Sequence, residues 1–224
     1  SEIQMEGRMT TTYLDKILEQ NQLYADIDAR WQADTDLLYL KKYVMMDKTG
    51  KHPIPDVINA TLNKPAVLAA NVISSLGSVK QQLIVDSDNV TIDTTKIEEI
   101  IQGCMDMANI RNRMLRYPNL NQAADVGLCI RGGHARRVLF RMEDGVLIPD
   151  IQAWDRRYVR YEIGEDGLKW ASLGAQRSKA QIEAEYGIPI KTLTEVVYDV
   201  WDDKEEQVWV GNKQVKVEPH PYGF

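Results

Sequence analysis

The spacing of apolar residues changes period near the middle of this chain, and that change limits what it can fold into. Up to about residue 118, apolar side chains recur every three or four positions; beyond it they fall in short alternating runs punctuated by Asp-Gly and Gly-Asn pairs. A period of 3.6 places side chains on one face of a helix, and a period of two places them on one face of a strand. Helices followed by antiparallel strands make an α+β fold: a helical N-terminal half, then mainly β hairpins and a meander with one short helix.

In the first half, Thr12-Tyr13-Leu14-Asp15 is a capping box opening a helix with Leu14, Ile17 and Leu18 on its apolar side. A second helix is expected over Thr35–Met46, followed by a loop carrying Gly50, Pro53 and Pro55. A third runs to Leu76, with Asn63 as its cap, Pro65 in its first turn and Gly77 in the left-handed position that ends it. Its Ala66, Val67, Ala69, Ala70, Val72 and Ile73 leave little polar surface, which predicts a well-buried helix. Leu83-Ile84-Val85 reads as a short strand. A fourth helix begins near Thr95, carries Ile97, Ile100, Ile101, Cys104, Ile110 and Met114, and stops before Pro118.

In the second half, Val126–Ile130 alternates, and Gly132-Gly133 is expected to mark a bulge or bend in a sheet. Val138–Met142 leads into Glu143-Asp144-Gly145, and Tyr158–Ile163 into Gly164-Glu165-Asp166-Gly167, both hairpin signals. Ser178-Lys179-Ala180-Gln181 is a second capping box, and its helix stops at Gly187. A meander of Val196–Trp201, Val208–Val210 and Val215–Val217 closes the chain. The expected organisation is a helical arm over residues 1–50 and an α+β domain over residues 51–224.

Composition removes several function classes. The chain has 224 residues, 44% hydrophobic and 27% charged, without a run of eighteen apolar residues, so no membrane span is expected. Its start lacks the apolar core of a secretory signal, and lacks an initiator methionine, which points to processing. Cys104 and Cys129 are expected as reduced thiols of a cytosolic protein. Gly127 to His134 has two glycines at phosphate-loop spacing, but no lysine and hydroxyl residue follow to reach phosphates and magnesium. His52, His134 and His220 are too far apart to share a metal. Asp34 with Asp36, and Asp202, Asp203, Glu205 and Glu206, read as helix-start and turn acids. No cofactor, metal or enzymatic activity is expected.

The arginines remain. Ten of thirteen lie between Arg111 and Arg160, a stretch with five acids and no lysine, in a chain of net charge −6. An isoelectric point near 5.2 argues against a DNA-coating protein. Strand alternation places Arg137, Leu139 and Arg141 on one face, and Arg156, Tyr158, Arg160 and Glu162 on one face of the next run. Three readings are open. The arginines could pair within the chain, with Asp144, Asp150, Asp155 and Glu162 on neighbouring strands; they could meet an acidic flank of another copy; or they could bind nucleic acid.

From Gly132 to Gly187 the sequence resembles the portal proteins of tailed bacteriophages. The matching pieces are Gly132-Gly133 before Arg137-Val138-Leu139, Gly145 through Pro149-Asp150-Ile151, and Trp154-Asp155-Arg156-Arg157-Tyr158. They continue with Tyr161-Glu162-Ile163-Gly164, Asp166-Gly167-Leu168, Trp170-Ala171, Arg177-Ser178-Lys179, Ile182 and Glu185-Tyr186-Gly187. The helix after Asn63, the 83–85 segment, the helix from Ile97 and the closing His220–Phe224 also resemble that family's order, so the similarity covers most of the chain after about Thr35. It lies in the family's outer wing; the stem, clip and channel-lining parts are not recognisable, which implies a fragment or the ordered part of a longer protein.

The resemblance implies a homo-oligomeric ring, typically a dodecamer, at one vertex of the virion capsid and assembled in the host cytoplasm. Such a ring conducts double-stranded DNA, docks a packaging motor (terminase) that hydrolyses ATP separately, and contacts capsid protein and tail or adaptor proteins. Ring closure uses head-to-tail contacts between two different surfaces. Arg131, Arg136, Arg137, Arg156 and Arg160 are the candidates for its basic flank. The alternatives are a nucleic-acid-binding module using an arginine-rich sheet face, or another structural protein of a virion.

Overall fold

A computed structural model of the protein describes residues 12–79, 83–89 and 91–222. The fold is α+β, with helices gathered toward the N-terminus and two antiparallel sheets in the C-terminal half. Of the described residues, those up to Asp28 join those from Arg157 onward in one compact unit, and Ala29–Arg156 form a second. This differs from the expected division at residue 50: the first helix belongs with the C-terminal sheet, and helix α2, Ala25–Leu38, runs through the boundary. Among the described residues no helix is long and apolar enough to cross a membrane.

In the first unit, α1 (Tyr13–Leu23) and α6 (Lys179–Tyr186) flank a five-stranded meander of β3 (Val159–Gly164), β4 (Gly167–Ser178), β5 (Thr194–Asp202), β6 (Glu205–Val210) and β7 (Lys213–Pro219). Both helices start with the expected capping boxes, and α6 ends at Gly187 with φ of 67°. The register puts Trp170 and Val200 on one face, where Ile17 of α1 packs, and Val197, Val208 and Val210 on the other, under Ile182 of α6. Edge strand β3 is closed by Gln20, whose side-chain amide donates to Tyr161 O (3.0 Å) and accepts from Tyr161 N (3.3 Å). A side chain thus pairs the peptide groups that an open edge would offer to another strand.

In the second unit, α4 (Thr94–Met114) and α5 (Leu120–Arg131) pack on the hairpin of β1 (Ala135–Glu143) and β2 (Val146–Trp154). Ala108, Leu120 and Ile151 form the core, and the buried Asn112 donates to Ile151 O at 3.2 Å. Asp144 and Gly145 both take positive φ, 52° and 79°, the turn that matches strand twist.

Several expected elements fall elsewhere. The second helix is Ala25–Leu38 rather than Thr35–Met46. Leu40 ends it at φ of 53°, with Lys41 N donating back to Asp36 O (2.8 Å), a Schellman closure built on a leucine instead of a glycine. Helix α3 is Lys64–Ser78; it runs through Gly77, Asn63 makes no side-chain cap, and none of its residues is buried. The 83–85 segment forms no strand, and Val85 N is bound by Glu98 Oε1 (2.8 Å). Val126–Ile130 lies in α5, because a five-residue alternation also satisfies the i, i+4 spacing of a helix and Asn119 caps it. Gly132 is consequently the left-handed stop of α5 (φ 67°), not a sheet bend.

Candidate functional site

The arginine candidates are presented by short, well-determined elements. Arg131 ends α5, where a cation meets the negative end of the helix dipole. Arg136 and Arg137 stand on opposite faces at the start of β1, and Arg156 opens a 3₁₀ turn, Arg156–Tyr158. That turn removes Arg156 and Tyr158 from the strand face expected to hold them with Arg160 and Glu162. Arg160 is the second residue of β3. Four candidates therefore belong to the second unit and Arg160 to the first.

Most of the constellation is turned inward. Leu139 faces Asp150 across the β1–β2 ladder, so Arg137 and Arg141, two residues to either side, reach Asp150 diagonally on the same face. Their guanidinium nitrogens lie 3.2 Å and 2.7 Å from Asp150 Oδ2, and Gln152 Nε2 donates to Oδ1 at 3.1 Å. The Asp150 side chain is only 2% exposed and that of Arg137 14%, so the charge is held by its two arginines in a largely dry setting. Arg131 pairs with Asp155 at 3.4 Å and approaches Thr35 Oγ1 at 3.5 Å.

Arg136 donates to the carbonyl of Leu120 at 3.1 Å. Burial pulls its pKa below the ordinary arginine value, partly opposed by the charge of Asp125. Arg156 stacks over the Trp31 ring at 5.5 Å, a cation–π contact. Arg160, with a side chain 6% exposed, pairs closely with Asp28 and donates to the carbonyls of Arg157 and Val159, each at 3.0 Å. Its guanidinium carbon also lies 6.0 Å from the Tyr24 ring.

Two of the acids anticipated as intrachain partners, Asp150 and Asp155, serve that role; the other two do not. Asp144 occupies the left-handed turn position. Glu162 is bound by lysines, Lys16 at 3.1 Å and Lys169 at 3.5 Å, and by Trp170 Nε1 at 2.8 Å. The indole donor and then Lys16 hold its pKa down at about 2. Sequence reasoning missed Asp28, the partner of Arg160, because the two are 132 positions apart. The only local signal is Asp28's place in the first turn of α2, which explains an acid there without a distant arginine.

The histidines stay apart in role. His134 is disfavoured as a cation by burial and by Arg136, and His220 stacks on Trp201 at 5.1 Å while its Nδ1 accepts from Tyr222 N. Among the described residues no group of three His, Cys, Asp or Glu side chains could hold a metal ion, and neither cysteine is in a disulfide. No protein-family model matches the chain, and no curated protein matches it.

Proposed function

We propose that this chain is a structural subunit of a tailed-phage portal ring, the DNA-packaging conduit and head-to-tail connector, contributing its wing-like part. The observation that carries the reading is the amount of apolar surface on the second unit. Helix α3 is apolar along most of its length, yet none of its fifteen residues is buried. Ile100 and Met114 of α4 are 66% and 79% exposed, and Ile58 is 95% exposed. Apolar side chains exposed on this scale suit a surface that other protein covers. The ordered likeness to portal wing sequences supplies the kind of assembly: identical subunits joined head to tail.

The basic flank is the weaker part of this proposal. Arg131, Arg137 and Arg160 are committed inside the chain and Arg156 stacks on Trp31, so a ring contact on the basic side rests mainly on Arg141, whose side chain is 48% exposed. The apolar helices are the stronger candidates for subunit contact. Under this reading the ring meets capsid protein, a packaging motor and tail or adaptor proteins, and double-stranded DNA passes through its channel.

The test is native mass and negative-stain imaging of the full-length product, with Leu68→Glu and Ile100→Glu as probes. A closed ring with a central hole, disrupted by either substitution while circular dichroism is unchanged, supports the proposal. A monomeric full-length product, or a ring indifferent to both substitutions, removes its basis.

A further inference from the structure

The second unit contains a polar cleft of about 550 Å³, lined by α3, α4, α5 and the start of β1. Its inner wall carries Asp125 of α5, a residue only 7% exposed. A Cβ placed on Gly77 of α3 would sit 3.6 Å from Asp125 Oδ2, which locates the carboxylate against that helix. No hydrogen bond or ion pair to this carboxylate is made by the described residues. The charge nearest in effect is Arg136, which spends a terminal nitrogen on Leu120 O and whose Nε is buried without a partner. A carboxylate at the bottom of a cleft, without a protein donor of its own, is open to a cationic donor that enters the cleft.

The rest of the lining is part apolar, from Leu76, Ile101 and Met105 among others, and part amide. Asn109 Oδ1 is taken by Leu120 N (3.0 Å) and Asn119 Oδ1 by Asn121 N (2.9 Å), which leaves both side-chain NH2 groups to donate. Gln102 gives its NH2 to Asp106 Oδ1 (3.0 Å), which leaves its carbonyl oxygen to accept. The cleft therefore offers one deep carboxylate, a second carboxylate at the rim in Asp106, and a ring of side-chain amides. Amides pair with peptide groups, and a deep carboxylate pairs with a cationic nitrogen.

We infer that this cleft is a binding site for a basic side chain of a peptide segment, with the guanidinium or ammonium group seated on Asp125. The amides of Asn109, Asn119 and Gln102 hold the flanking peptide groups, and Asp106 adds a second negative charge at the mouth. This site is independent of the portal reading, because it follows from a deep carboxylate that lines a cleft and not from the exposed apolar helices.

Calorimetric titration of the chain with three probes tests it: a blocked tripeptide, acetyl-Gly-Arg-Gly-amide; the same tripeptide with citrulline for arginine; and agmatine, which has the cation without peptide groups. The arginine tripeptide is expected to bind at least about tenfold tighter than agmatine, through the amides. The citrulline tripeptide and the Asp125→Asn protein are each expected to lose about thirtyfold or more, the usual scale for losing one partner of a desolvated charge pair. Asn at position 125 removes an unpaired buried charge, so that variant should fold, and its melting temperature checks this. Equal binding of the citrulline and arginine tripeptides, full binding by the folded Asp125→Asn protein, or no binding of the arginine tripeptide by the parent chain overturns the assignment. Agmatine binding as tightly as the peptide overturns the peptide source.

Discussion

Replacing Asp150 with asparagine tests whether the arginine cluster is structural. The substitution keeps the shape and one acceptor but removes the charge on which Arg137 and Arg141 converge. The two arginines do not count equally. Arg141 is 48% exposed, so water already screens it and its share is about 0–1 kcal/mol. Arg137 is 14% exposed beside a carboxylate 2% exposed, and removing one partner of a buried pair costs about 3–5 kcal/mol because the other charge stays buried. Asparagine retains part of the hydrogen bonding, so about 3 kcal/mol of stability should be lost from the second unit. For a chain of this length that is roughly 6–12 °C in melting temperature. The loss should be localised: amide hydrogen exchange in β1 and β2 should accelerate while β3–β7 stay protected. The double variant Arg137→Met with Asp150→Leu supplies the contrast, since apolar residues of similar volume leave no unpaired charge and should recover most of the loss. A loss below about 1 kcal/mol for Asp150→Asn, or exchange unchanged in the hairpin, would refute the claim that this carboxylate organises β1 and β2.

Other outcomes follow from single positions. Gly132→Ala puts a side chain at φ of 67° in open space, so backbone strain alone should lower the second unit's stability by about 1 kcal/mol in urea melts. Glu162 has a depressed pKa of about 2 against an ordinary 4.5, so its contribution is full above about pH 4.5 and disappears as pH falls toward 2. Glu162→Gln should flatten the acid limb of the first unit's stability in that window, and Trp170→Phe should move the carboxyl titration upward in a side-chain NMR experiment. Filter binding to duplex DNA at two ionic strengths should show a shallow salt dependence. Five free arginines on phosphates would give a log–log slope near −4.5, at about −0.9 per contact, and such a slope would restore the nucleic-acid reading.

The elements legible in the sequence are those with signals at both ends. Helix α6 has a capping box at Ser178 and a glycine stop at Gly187, and both are where the sequence puts them. The β1–β2 hairpin is announced by Asp144-Gly145 between apolar runs, and its register follows from that turn. Helix α2 ends where the sequence gives no sign of it, because its stop is Leu40 in a left-handed conformation, which no residue preference announces. Val126–Ile130 alternates as a strand does and yet lies in α5, because a spacing of four is common to both periods. The exposure of α3 has a different reason. Apolar composition says that a helix prefers cover, but not that this chain supplies the cover. For the candidate site, local pairings such as Arg137 with Asp150 could be anticipated from strand alternation. Arg160 with Asp28 could not, since it depends on α1, α2 and β3 coming together across 132 positions.

The absence of lysine from the 111–160 stretch now has a physical account. Arg137, Arg131 and Arg160 each sit nearly dry, and Arg131 and Arg160 each engage more than one acceptor, as the planar fork of a guanidinium allows and an ammonium on a flexible stem does poorly. Lysine appears where the partner is at the surface, as with Lys16 and Lys169 on Glu162, both 36% or more exposed. A nucleic-acid surface would show the reverse, with its cations in solvent and its acids elsewhere, whereas here the buried Asp150 and the half-buried Asp28 and Asp155 accompany the arginines. Arg131, Arg137 and Arg160 therefore act as internal braces within their units. What faces outward on the second unit is the apolar surface of α3 and α4, and the question of partners passes from charge to hydrophobic contact.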